Sequence, residues 1–445
     1  MLSTLLVLLG MVHWTRAQTW NPVAYTLPAP PVLTGSLSSN YALYNAERMH
    51  YGKIAGANSF AFLNGNVYTV TGDQKVVNIA TCQPQVIADL KRPGCANLAQ
   101  CGYLTSIRVD PNGLLLVLDA YRGLFRVNPA NGATEVLWQS SQAVNGRVSR
   151  YLNGMVVAPD GNIFMSDSSD KFDIANDIYI IMEGRPSGRI LLFNPTTRVA
   201  AEVLKDVFVY PNGLEITADG TRLLISESGR ARILSMSLEP ATFRQITTFA
   251  DNLPGLPANV RRSARGTYWV ALWFVRYAGI PNSMDILSNN VQARTRTVYS
   301  VSADQIRSFY PKYGIVVELD GAGRIVGSLH DPTGMVFSAM SEATENEGLL
   351  YIASPTARHI GRIVLPQGDG RVVTVDSVIQ VLASRCQIPA DRLAQAKAVL
   401  IEYINRQTLS QTTAAPDTAT SAAPLTAANP ATQAPATEPT AMAPF

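Results

Sequence analysis

Short apolar runs separated by Gly, Asn and Asp fill most of the chain. One sequence motif occurs in two clear copies, Tyr151-Leu-Asn-Gly-Met-Val-Val-Ala-Pro-Asp-Gly-Asn-Ile-Phe-Met-Ser-Asp and Tyr210-Pro-Asn-Gly-Leu-Glu-Ile-Thr-Ala-Asp-Gly-Thr-Arg-Leu-Leu-Ile-Ser-Glu. A weaker copy begins at Val109. Each copy predicts an Asn-Gly corner, a strand, an Asp-Gly turn and a second strand, which is the pattern of a β-hairpin. Repeats of this kind, each worth about four strands, are typical of a propeller or a solenoid.

The number of hairpin units sets the fold class. Residues 51–385 hold about six such units, so we predict an all-β, six-bladed β-propeller. The Asn at the head of each repeat would then lie on an innermost strand, or in the loop entering it, and face one central channel. Function is therefore expected at the mouth of that channel. The stretch 277–312 interrupts the repeat pattern and predicts a partly helical insertion over one face. Long insertions of this kind are often lids.

The N-terminal segments differ in amino-acid composition from the repeats. Residues 1–17 form a short apolar run ending in small residues, which predicts a signal peptide cut after Ala17 and hence a secreted protein. The run is shorter than the roughly 20 apolar residues that span a bilayer, and an uncleaved membrane anchor stays open as the minority alternative. Residues 18–50, rich in Pro, Ser and Tyr, are expected to wrap the outside of the propeller.

Two further segments follow the repeats. Residues 386–407 place apolar side chains at helical spacing and predict a helix-like segment. Residues 408–445 are dominated by Thr, Ala and Pro and cannot bury enough apolar surface to offset the entropy of ordering, so we predict a disordered tail. Thr beside Pro and Ala is the composition of an O-glycosylated, mucin-like stalk, with a plain flexible tail as the alternative.

Composition supports a large folded core and excludes one class of partner. Hydrophobic residues make up 47% of the chain and charged residues 16%, with a formal net charge of +3. This balance, without a basic run or an RNP-like aromatic motif, excludes nucleic acid as a partner. The expected partner is a small-molecule ligand or substrate at the channel mouth, in addition to O-glycans on the tail.

The cysteine count fits an oxidising compartment. Four cysteines follow the predicted signal peptide, namely Cys82, Cys95, Cys101 and Cys386. An even count there predicts disulfides, although the sequence does not fix their pairing. A Cys95–Cys101 bond would staple one loop, and a Cys82–Cys386 bond would tie the first blade to the last. Buried free thiols are the alternative.

Several phrases spread over residues 40–370 identify a family. They are Asp119-Ala-Tyr-Arg-Gly-Leu-Phe-Arg-Val, Ser166-Asp-Ser-Ser-Asp-Lys-Phe, Met182-Glu-Gly-Arg-Pro-Ser-Gly-Arg-Ile-Leu, Tyr210-Pro-Asn-Gly-Leu and His330-Asp-Pro-Thr-Gly. In this order they resemble the strictosidine-synthase-like family, and within it the animal branch, in which an insect member carries a mucin-like tail. The resemblance implies a six-bladed propeller with its site at the channel mouth. It also implies kinship with the paraoxonases and gluconolactonases, which are calcium-dependent hydrolases.

The resemblance implies a Ca²⁺ site as well. Those hydrolases ring the metal with oxygens from separate blades, and the matching positions here are Asn58, Asn153, Asn212 and Asn259. Asn58 stands where the family supplies Glu, and Ala258 stands where it often has Asp. Neutral carboxamides hold a divalent cation less tightly, because ligand charge sets much of the affinity. Judged from the residues alone, each Asn-Gly pair is equally a favoured turn dipeptide.

Two carboxylates near the end of the repeats are the candidate catalytic residues. The plant synthase uses a carboxylate as general acid/base, and the resemblance places its counterpart at Glu342 or, second, at Glu345, just before the strand that starts at Leu349. General acid/base help of this kind typically contributes about 10²–10⁴-fold to the rate. The alternative is that both are solvated loop carboxylates.

Two classes of function follow. The first is a metal-assisted hydrolase of aryl esters or lactones, in which the Asn positions hold a cation that polarises the carbonyl. The second is a non-catalytic secreted or cell-surface binding protein, with the tail as a mucin-type spacer. Loss of Asp and Glu at two metal positions favours the second class, and the family relationship favours the first. Strictosidine synthesis itself is ranked last.

Overall fold

A computed structural model of the 445-residue chain describes residues 20–365, together with helical positions at 394–395, 397–398 and 401–402. The predicted signal peptide, the tail 408–445 and Cys386 lie outside the described residues. The chain divides into two units, Met1–Gln387 and Ile388–Phe445. The first unit contains six four-stranded antiparallel sheets that form a β-propeller, as the repeats predict.

Five of the blades are meanders of four consecutive strands with the first strand innermost, and the sixth combines β22, β23 and β24 with β1. The strands of the first three blades are β2 (Ala57–Leu63), β3 (Asn66–Thr71), β4 (Lys75–Asn78), β5 (Gln85–Asp89), β6 (Leu104–Val109), β7 (Leu115–Asp119), β8 (Gly123–Val127), β9 (Thr134–Gln139), β10 (Leu152–Val157), β11 (Ile163–Asp167), β12 (Gly188–Asn194) and β13 (Val199–Phe208). The remaining strands are β14 (Pro211–Ile216), β15 (Arg222–Glu227), β16 (Arg232–Ser237), β17 (Ile246–Ala250), β18 (Gly255–Arg262), β19 (Tyr268–Val275), β20 (Gly314–Leu319), β21 (Ile325–Asp331), β22 (Glu342–Asn346), β23 (Leu349–Ala353), β24 (Ile360–Val364) and, earlier in the chain, β1 (Glu47–Met49).

The N-terminal part of the chain closes the ring. Strand β1 pairs with β24 as the outermost strand of the sixth blade, so that blade combines both ends of the propeller. Within this pairing Arg362 donates to both carboxylate oxygens of Glu47, at 2.7 and 2.9 Å. Residues 20–50 therefore both wrap the fold and complete its last sheet.

The core lies between blades. Six apolar clusters each combine side chains of two neighbouring sheets, as with Val70 of the first blade and Leu104 of the second, or Ala57 of the first and Ile352 of the sixth. Every blade thus packs on both sides, which is how a ring of small sheets buries its apolar faces.

Short helices lie in the loops at one end of the ring. They are α1 (Leu98–Cys101), α2 (Asp177–Glu183), α3 (Ser283–Leu287), α4 (Val291–Ser300) and α5 (Ala303–Ser308). Short 3₁₀ turns occur elsewhere in the loops, at Gly35–Leu37, Ile174–Asn176, Ser228–Arg230 and Pro240–Thr242. Helices α3 to α5 occupy the stretch 277–312. Among the described residues, none of the helices has the length and apolar character needed to cross a membrane.

Helices from two blades meet to form a lid. A seventh apolar cluster joins Ile181 of α2 to Val298 of α4 and Ile306 of α5, and it includes Tyr151 and Tyr210 at the top of the innermost strands. The lid therefore lies over the channel end at which strands β10 and β14 begin.

The N-terminal segment straps this lid. The backbone amide of Val23 donates to the carbonyl of Glu183 at 2.9 Å, and that of Tyr25 donates to Ser288 at 3.2 Å. The indole of Trp20 donates to Thr295 at 3.0 Å. The strap thus links helix α2 of the third blade to the helices inserted in the fifth.

The disulfides agree with an oxidised protein. Cys95 and Cys101 are bonded to each other, as one predicted pairing has it, and they fix the loop that leads into strand β6. Cys82 is also disulfide-bonded. Its predicted partner, Cys386, lies outside the described residues.

Candidate functional site

A small pocket lies on the propeller axis beneath the lid. Its lining includes one polar residue from each blade, on the innermost strand or directly before it: Asn58, Thr105, Asn153, Asn212, Asn259 and Ser341. We call these six residues the channel ring. The structure thus brings together all four asparagines that the sequence proposed as metal ligands. The cavity measures about 40 Å³, which is room for about three water molecules.

Bulges aim the ring side chains at the axis. The pairing between the first two strands of a blade shifts register between Ala57 and Ser59, between Leu152 and Met155, and at the corresponding points of the second, fourth and fifth blades. An extra residue at such a shift points away from the regular pleat, and bulges of this kind often lie beside functional sites.

The predicted Asn-Gly corners are wrong. Asn153-Gly154 lies inside β10 and Asn212-Gly213 inside β14, and neither asparagine has a left-handed backbone. The Asp-Gly turns of the same repeats are correct, since Gly161 has a φ of +84°. A turn dipeptide is the local preference, but packing of neighbouring blades overrides it.

The glycines after the ring asparagines have a packing role. A Cβ on Gly154 would lie 2.4 Å from the carbonyl oxygen of Asn212, and one on Gly213 would lie 2.4 Å from the Cα of Asn259. Adjacent blades approach so closely at the axis that only glycine fits. The Asn-Gly pair therefore serves the ring twice, with a side chain that faces the pocket and a backbone that admits the next blade.

Serines fix the orientation of two ring amides. Asn153 donates from Nδ2 to Ser168 Oγ at 3.2 Å, and Asn212 donates in the same way to Ser228 at 3.2 Å. Each serine in turn donates to a backbone carbonyl of the next blade, at 2.7 and 2.6 Å. Because the amide nitrogens are bound on the protein side, the Oδ1 atoms are left for the pocket.

The other two ring asparagines differ in how their amides are held. Asn58 donates from Nδ2 to the carbonyl of Leu104 at 2.8 Å, and its Oδ1 receives a long 3.5 Å contact from the hydroxyl of Tyr103. Asn259 is 5% exposed, and its Oδ1 is buried without a hydrogen-bond donor. An orphaned buried acceptor of this kind calls for an ion or water at the site.

Acids at the ends of the second strands hold the loops that enter the ring. Asp167 accepts from the backbone amide of Tyr151 at 3.2 Å and from Arg189 Nε at 2.9 Å. Asp119 and Glu227 act in the same way in the second and fourth blades. Asp167 and Glu227 are therefore each committed to an arginine and a backbone amide, and neither lines the pocket. Asp160 lies in its turn, where it accepts from Asn162.

Tyrosines form one wall of the pocket. Tyr103, Tyr151 and Tyr210 each stand two residues before a ring position, in three successive blades. The hydroxyls of Tyr151 and Tyr210 lie 3.1 Å apart, and Tyr210 donates to Asp177 of helix α2 at 3.0 Å. Burial raises the pKa of both phenols well above its usual value, and the Asp177 carboxylate adds to that rise. Both phenols are therefore neutral donors at physiological pH.

The predicted catalytic carboxylates do not line the pocket. Glu342 is fully buried at the start of β22, and Glu345 lies on the same strand, where it accepts from the indole of Trp269 at 3.2 Å. The alternative of solvated loop residues is wrong for Glu342. Burial would raise the pKa of its carboxyl, but Arg261 and Arg108 outweigh that effect and hold the pKa below its usual range. Glu342 is thus an ion-paired carboxylate in this structure.

The chemistry of the ring is that of an oxygen-lined cation site without formal charge. None of the lining residues is Asp, Glu or His. No cluster of three or more His, Cys, Asp or Glu side chains able to hold a metal occurs in the described part of the chain. Carboxamide oxygens are ligands that Ca²⁺ accepts. The ring therefore fits Ca²⁺ by ligand type, with affinity limited by the missing carboxylates.

Sequence reasoning missed the supporting residues. Ser168 and Ser228 end the triplets Ser166-Asp-Ser and Ser226-Glu-Ser, so the internal repeat runs one residue further than its apolar pattern. Extending the repeat by that residue would have identified both serines. The tyrosine wall was also visible, because Tyr-x-Asn heads two of the copies.

Comparisons with known proteins agree with this architecture. The family model described as Strictosidine synthase matches residues 153–239. The adipocyte plasma membrane-associated protein of Salmo salar is 35% identical over 339 residues, covering 75% of this chain and 81% of that protein. Drosophila melanogaster adipocyte plasma membrane-associated protein Hemomucin is 28% identical, covering 80% of this chain and 66% of that protein. A gluconolactonase structure from Xanthomonas campestris shares the fold, with a TM-score of 0.50 at 15% identity, covering 78% of this chain and 99% of that one.

Proposed function

The chain belongs to the strictosidine synthase-like family, in the animal branch of the adipocyte plasma membrane-associated proteins, and on that premise we propose that it is a metal-assisted hydrolase of lactones or aryl esters. The observation that carries the proposal is the convergence of four carboxamides on one pocket, three of which, Asn58, Asn153 and Asn212, have their nitrogens bound on the protein side. The gluconolactonase shares only the fold at this level of identity, so it supports the location of the site and not the substrate.

The chain's own residues have three tasks in this proposal. The ring asparagines hold the cation through Oδ1, and Ser168 and Ser228 keep those oxygens turned inward. A bound Ca²⁺ supplies Lewis-acid polarisation of the substrate carbonyl. The neutral phenols of Tyr151 and Tyr210 form a hydrogen-bonded wall beside the ring that ends on Asp177, and the lid excludes bulk water from the ring.

The neutral ring sets the expected affinity for calcium. Ligand charge tunes Ca²⁺ binding, and extracellular modules bind with dissociation constants of about 10⁻⁴–10⁻³ M. A ring of uncharged oxygens belongs at that weak end. Weak binding suits a protein outside the cell, which is where the predicted signal peptide and the names of the membrane-associated relatives lead us to place it. O-glycans on the tail 408–445 remain part of the same proposal.

The second candidate is a non-catalytic binding protein with the ring as its ligand site. One observation favours it: the lining residues include no Asp, Glu or His, and therefore no ordinary general base. A small ligand with a donor group or a cation would satisfy the ring oxygens without being converted. Turnover, not binding, separates the two candidates.

The test is hydrolysis of phenyl acetate and of γ- and δ-lactones by the full-length protein, in Ca²⁺ and in EDTA. Asn212→Leu removes one ring oxygen, and Asn112→Leu, at an exposed turn position, is the matched control. The hydrolase predicts activity lost in EDTA and in Asn212→Leu but kept in Asn112→Leu. Rates equal to buffer for the wild type would reject catalysis and leave the binding protein.

A further inference from the structure

A second cavity lies between the first and second blades, towards the end of the propeller opposite the channel ring. Its volume is about 330 Å³, which is within the range typical of small-molecule sites. Ring residue Asn58 stands near the start of strand β2, whereas Leu63, which lines this cavity, ends the same strand. Along the strand the two positions lie roughly 16 Å apart. We call this second cavity the seam groove.

Polar residues of the first blade line one side of the seam groove. They are Asn64, Asn66, Tyr68, Asn78 and Gln85. Tyr68, Asn78 and Gln85 are direct partners across strands β3, β4 and β5, so their side chains share one face of the blade. The Cβ atoms of such partners lie about 4.5–5.5 Å apart. The row therefore spans roughly 10 Å, which one small ligand can bridge.

Three side chains of the groove keep unused hydrogen-bonding groups. Tyr68 is 5% exposed, yet its hydroxyl has no hydrogen-bond partner among the described residues. The exposed amides of Asn64 and Gln85 are also without partners in that part of the chain. Asn78, by contrast, is committed to the protein, because its Nδ2 donates to Asn66 at 2.9 Å. A hydroxyl that is nearly enclosed and faces a cavity without a partner indicates a ligand group there.

Aliphatic side chains from both blades complete the lining: Leu63, Ile87, Pro129 and Ala130. Pro129 and Ala130 lie in the turn between strands β8 and β9 of the second blade. The turn is fixed by Asn128, which accepts from the amide of Ala130 at 2.9 Å. It also packs directly on the first blade, since a Cβ on Gly132 would lie 2.3 Å from the carbonyl oxygen of Ile87. The seam groove is therefore a preformed cavity with a fixed apolar wall.

The lining selects a neutral ligand that carries several hydroxyl groups. The described side chains around the groove have no formal charge, so an ion would lose hydration there without gaining a counter-charge. Carboxamides and phenols both donate and accept hydrogen bonds, as the hydroxyls of a sugar do, and the aliphatic side chains match the C–H face of a sugar ring. A nucleobase would need an exposed aromatic face for stacking, but the ring of Tyr68 packs in the apolar cluster between the two blades.

We propose that the seam groove binds a neutral saccharide unit through the hydroxyl of Tyr68 and the amides of Asn64 and Gln85. A sugar hydroxyl supplies the partner that Tyr68 lacks, and the sugar ring packs on the wall formed by the second blade. A free sugar and a residue of a glycan chain present the same groups to this site. The groove is remote from the channel ring and needs no metal, so it does not depend on the hydrolase proposal.

The test measures binding of the full-length protein, in EDTA, to an array of neutral, sialylated and sulfated glycans. Neutral glycans should bind and the anionic ones should not. Tyr68→Phe should weaken binding about tenfold, as expected for one lost hydrogen bond. The same variant should keep the urea midpoint of the wild type, because the hydroxyl has no partner in the free protein. Gln85→Ala should also weaken binding, whereas Gln139→Ala, exposed on strand β9 and outside the groove, should not.

Competition with free methyl glycosides separates the two sources of the sugar. Inhibition by a methyl glycoside supports the proposal with a soluble sugar as the ligand. Inhibition that requires longer neutral oligosaccharides supports it with a glycan chain as the ligand.

Three results would overturn the proposal. The first is a wild type that binds no neutral glycan on the array. The second is saccharide binding that persists in Tyr68→Phe and Gln85→Ala but is lost in Asn212→Leu, which would place the sugar in the channel ring. The third is binding of adenosine or uridine in place of sugars, which would make the groove a nucleoside site.

Discussion

The amide nitrogen of Asn212 donates to the hydroxyl of Ser228 at 3.2 Å, and this bond determines which end of the carboxamide faces the pocket. Ser228 uses its single proton on the carbonyl of Pro257, at 2.6 Å, so its oxygen can only accept from the amide. The orientation of Asn212 is thus set by a chain of bonds that ends on the next blade. Asn153 and Ser168 repeat the arrangement one blade earlier.

Ser228→Ala should free the Asn212 amide to rotate. The variant loses a buried hydrogen-bonded hydroxyl, which typically costs about 1 kcal/mol per bond in the free energy of unfolding. Calcium binding should weaken, because the ring oxygen is no longer held inward. Urea unfolding and calcium titration check both effects. Ser237→Ala, on β16 away from the ring, is the control, and equal calcium binding in both variants would contradict the orienting role.

Gly213→Ala should destabilise the fold through backbone contact between blades. The added Cβ would lie 2.4 Å from the Cα of Asn259 and 2.7 Å from the carbonyl oxygen of Ala258, and neither atom is free to swing aside. Overpacking of this kind costs about 1–3 kcal/mol or more. Gly321→Ala, where nothing lies within 4 Å, is the matched control. Equal urea midpoints for the two variants would show that the blades separate easily.

Asp167→Asn should be among the most damaging conservative changes in the propeller. Asp167 and Arg189 are both fully buried and paired at 2.9 Å. Removing one charge of a buried pair typically costs about 3–5 kcal/mol, and a loss near the lower end of that range is expected, because Arg189 keeps Glu202 as a second partner at 3.2 Å. Asp206→Asn removes a pair whose carboxylate is 46% exposed, and it should change the free energy of unfolding by less than about 1 kcal/mol. Similar losses for the two variants would contradict this account.

Acidification from pH 6.5 towards pH 4 should destabilise the protein in part through His330. Its ring lies between Tyr313 Oη at 3.0 Å and Ser328 Oγ at 2.8 Å. Burial lowers the pKa of this imidazole from 6.5 to about 4. The unfolded chain therefore takes up a proton first, so the contribution of His330 is present above pH 6.5 and is lost as the pH falls through that window. His330→Gln should flatten the dependence of the thermal midpoint on pH there, and an unchanged slope would contradict it.

Local repeats made the fold and much of the ring predictable. The copies that begin at Tyr151 and Tyr210 encode one blade motif each, and the family pattern adds Asn58 and Asn259, which lack the Asn-Gly signature. The bulges were not predictable, because Asn-Gly has a strong turn preference of its own. Only contact with the next blade, as at Gly213 against Asn259, turns that dipeptide into a strand.

The sequence did not predict which side chains pair across the propeller axis. Glu342 meets Ser59, 283 residues away, and Arg261, 81 residues away. No periodicity relates these positions, and the family resemblance alone indicated Glu342 as a general acid/base. Its burial and its four hydrogen bonds argue against a general acid/base role in the pocket, and both arise only when the propeller ring is closed.

The central claim is that the ring presents carboxamide oxygens to a cation, and calorimetric Ca²⁺ titration of the EDTA-stripped, full-length protein tests it most directly. The wild type should bind one Ca²⁺ at the ring with a dissociation constant of about 10⁻⁴–10⁻³ M. Asn259→Asp places a carboxylate where the buried Oδ1 has no donor, and it should tighten binding about tenfold, since ligand charge raises calcium affinity. No binding heat in either protein, or no gain in Asn259→Asp, would contradict the account.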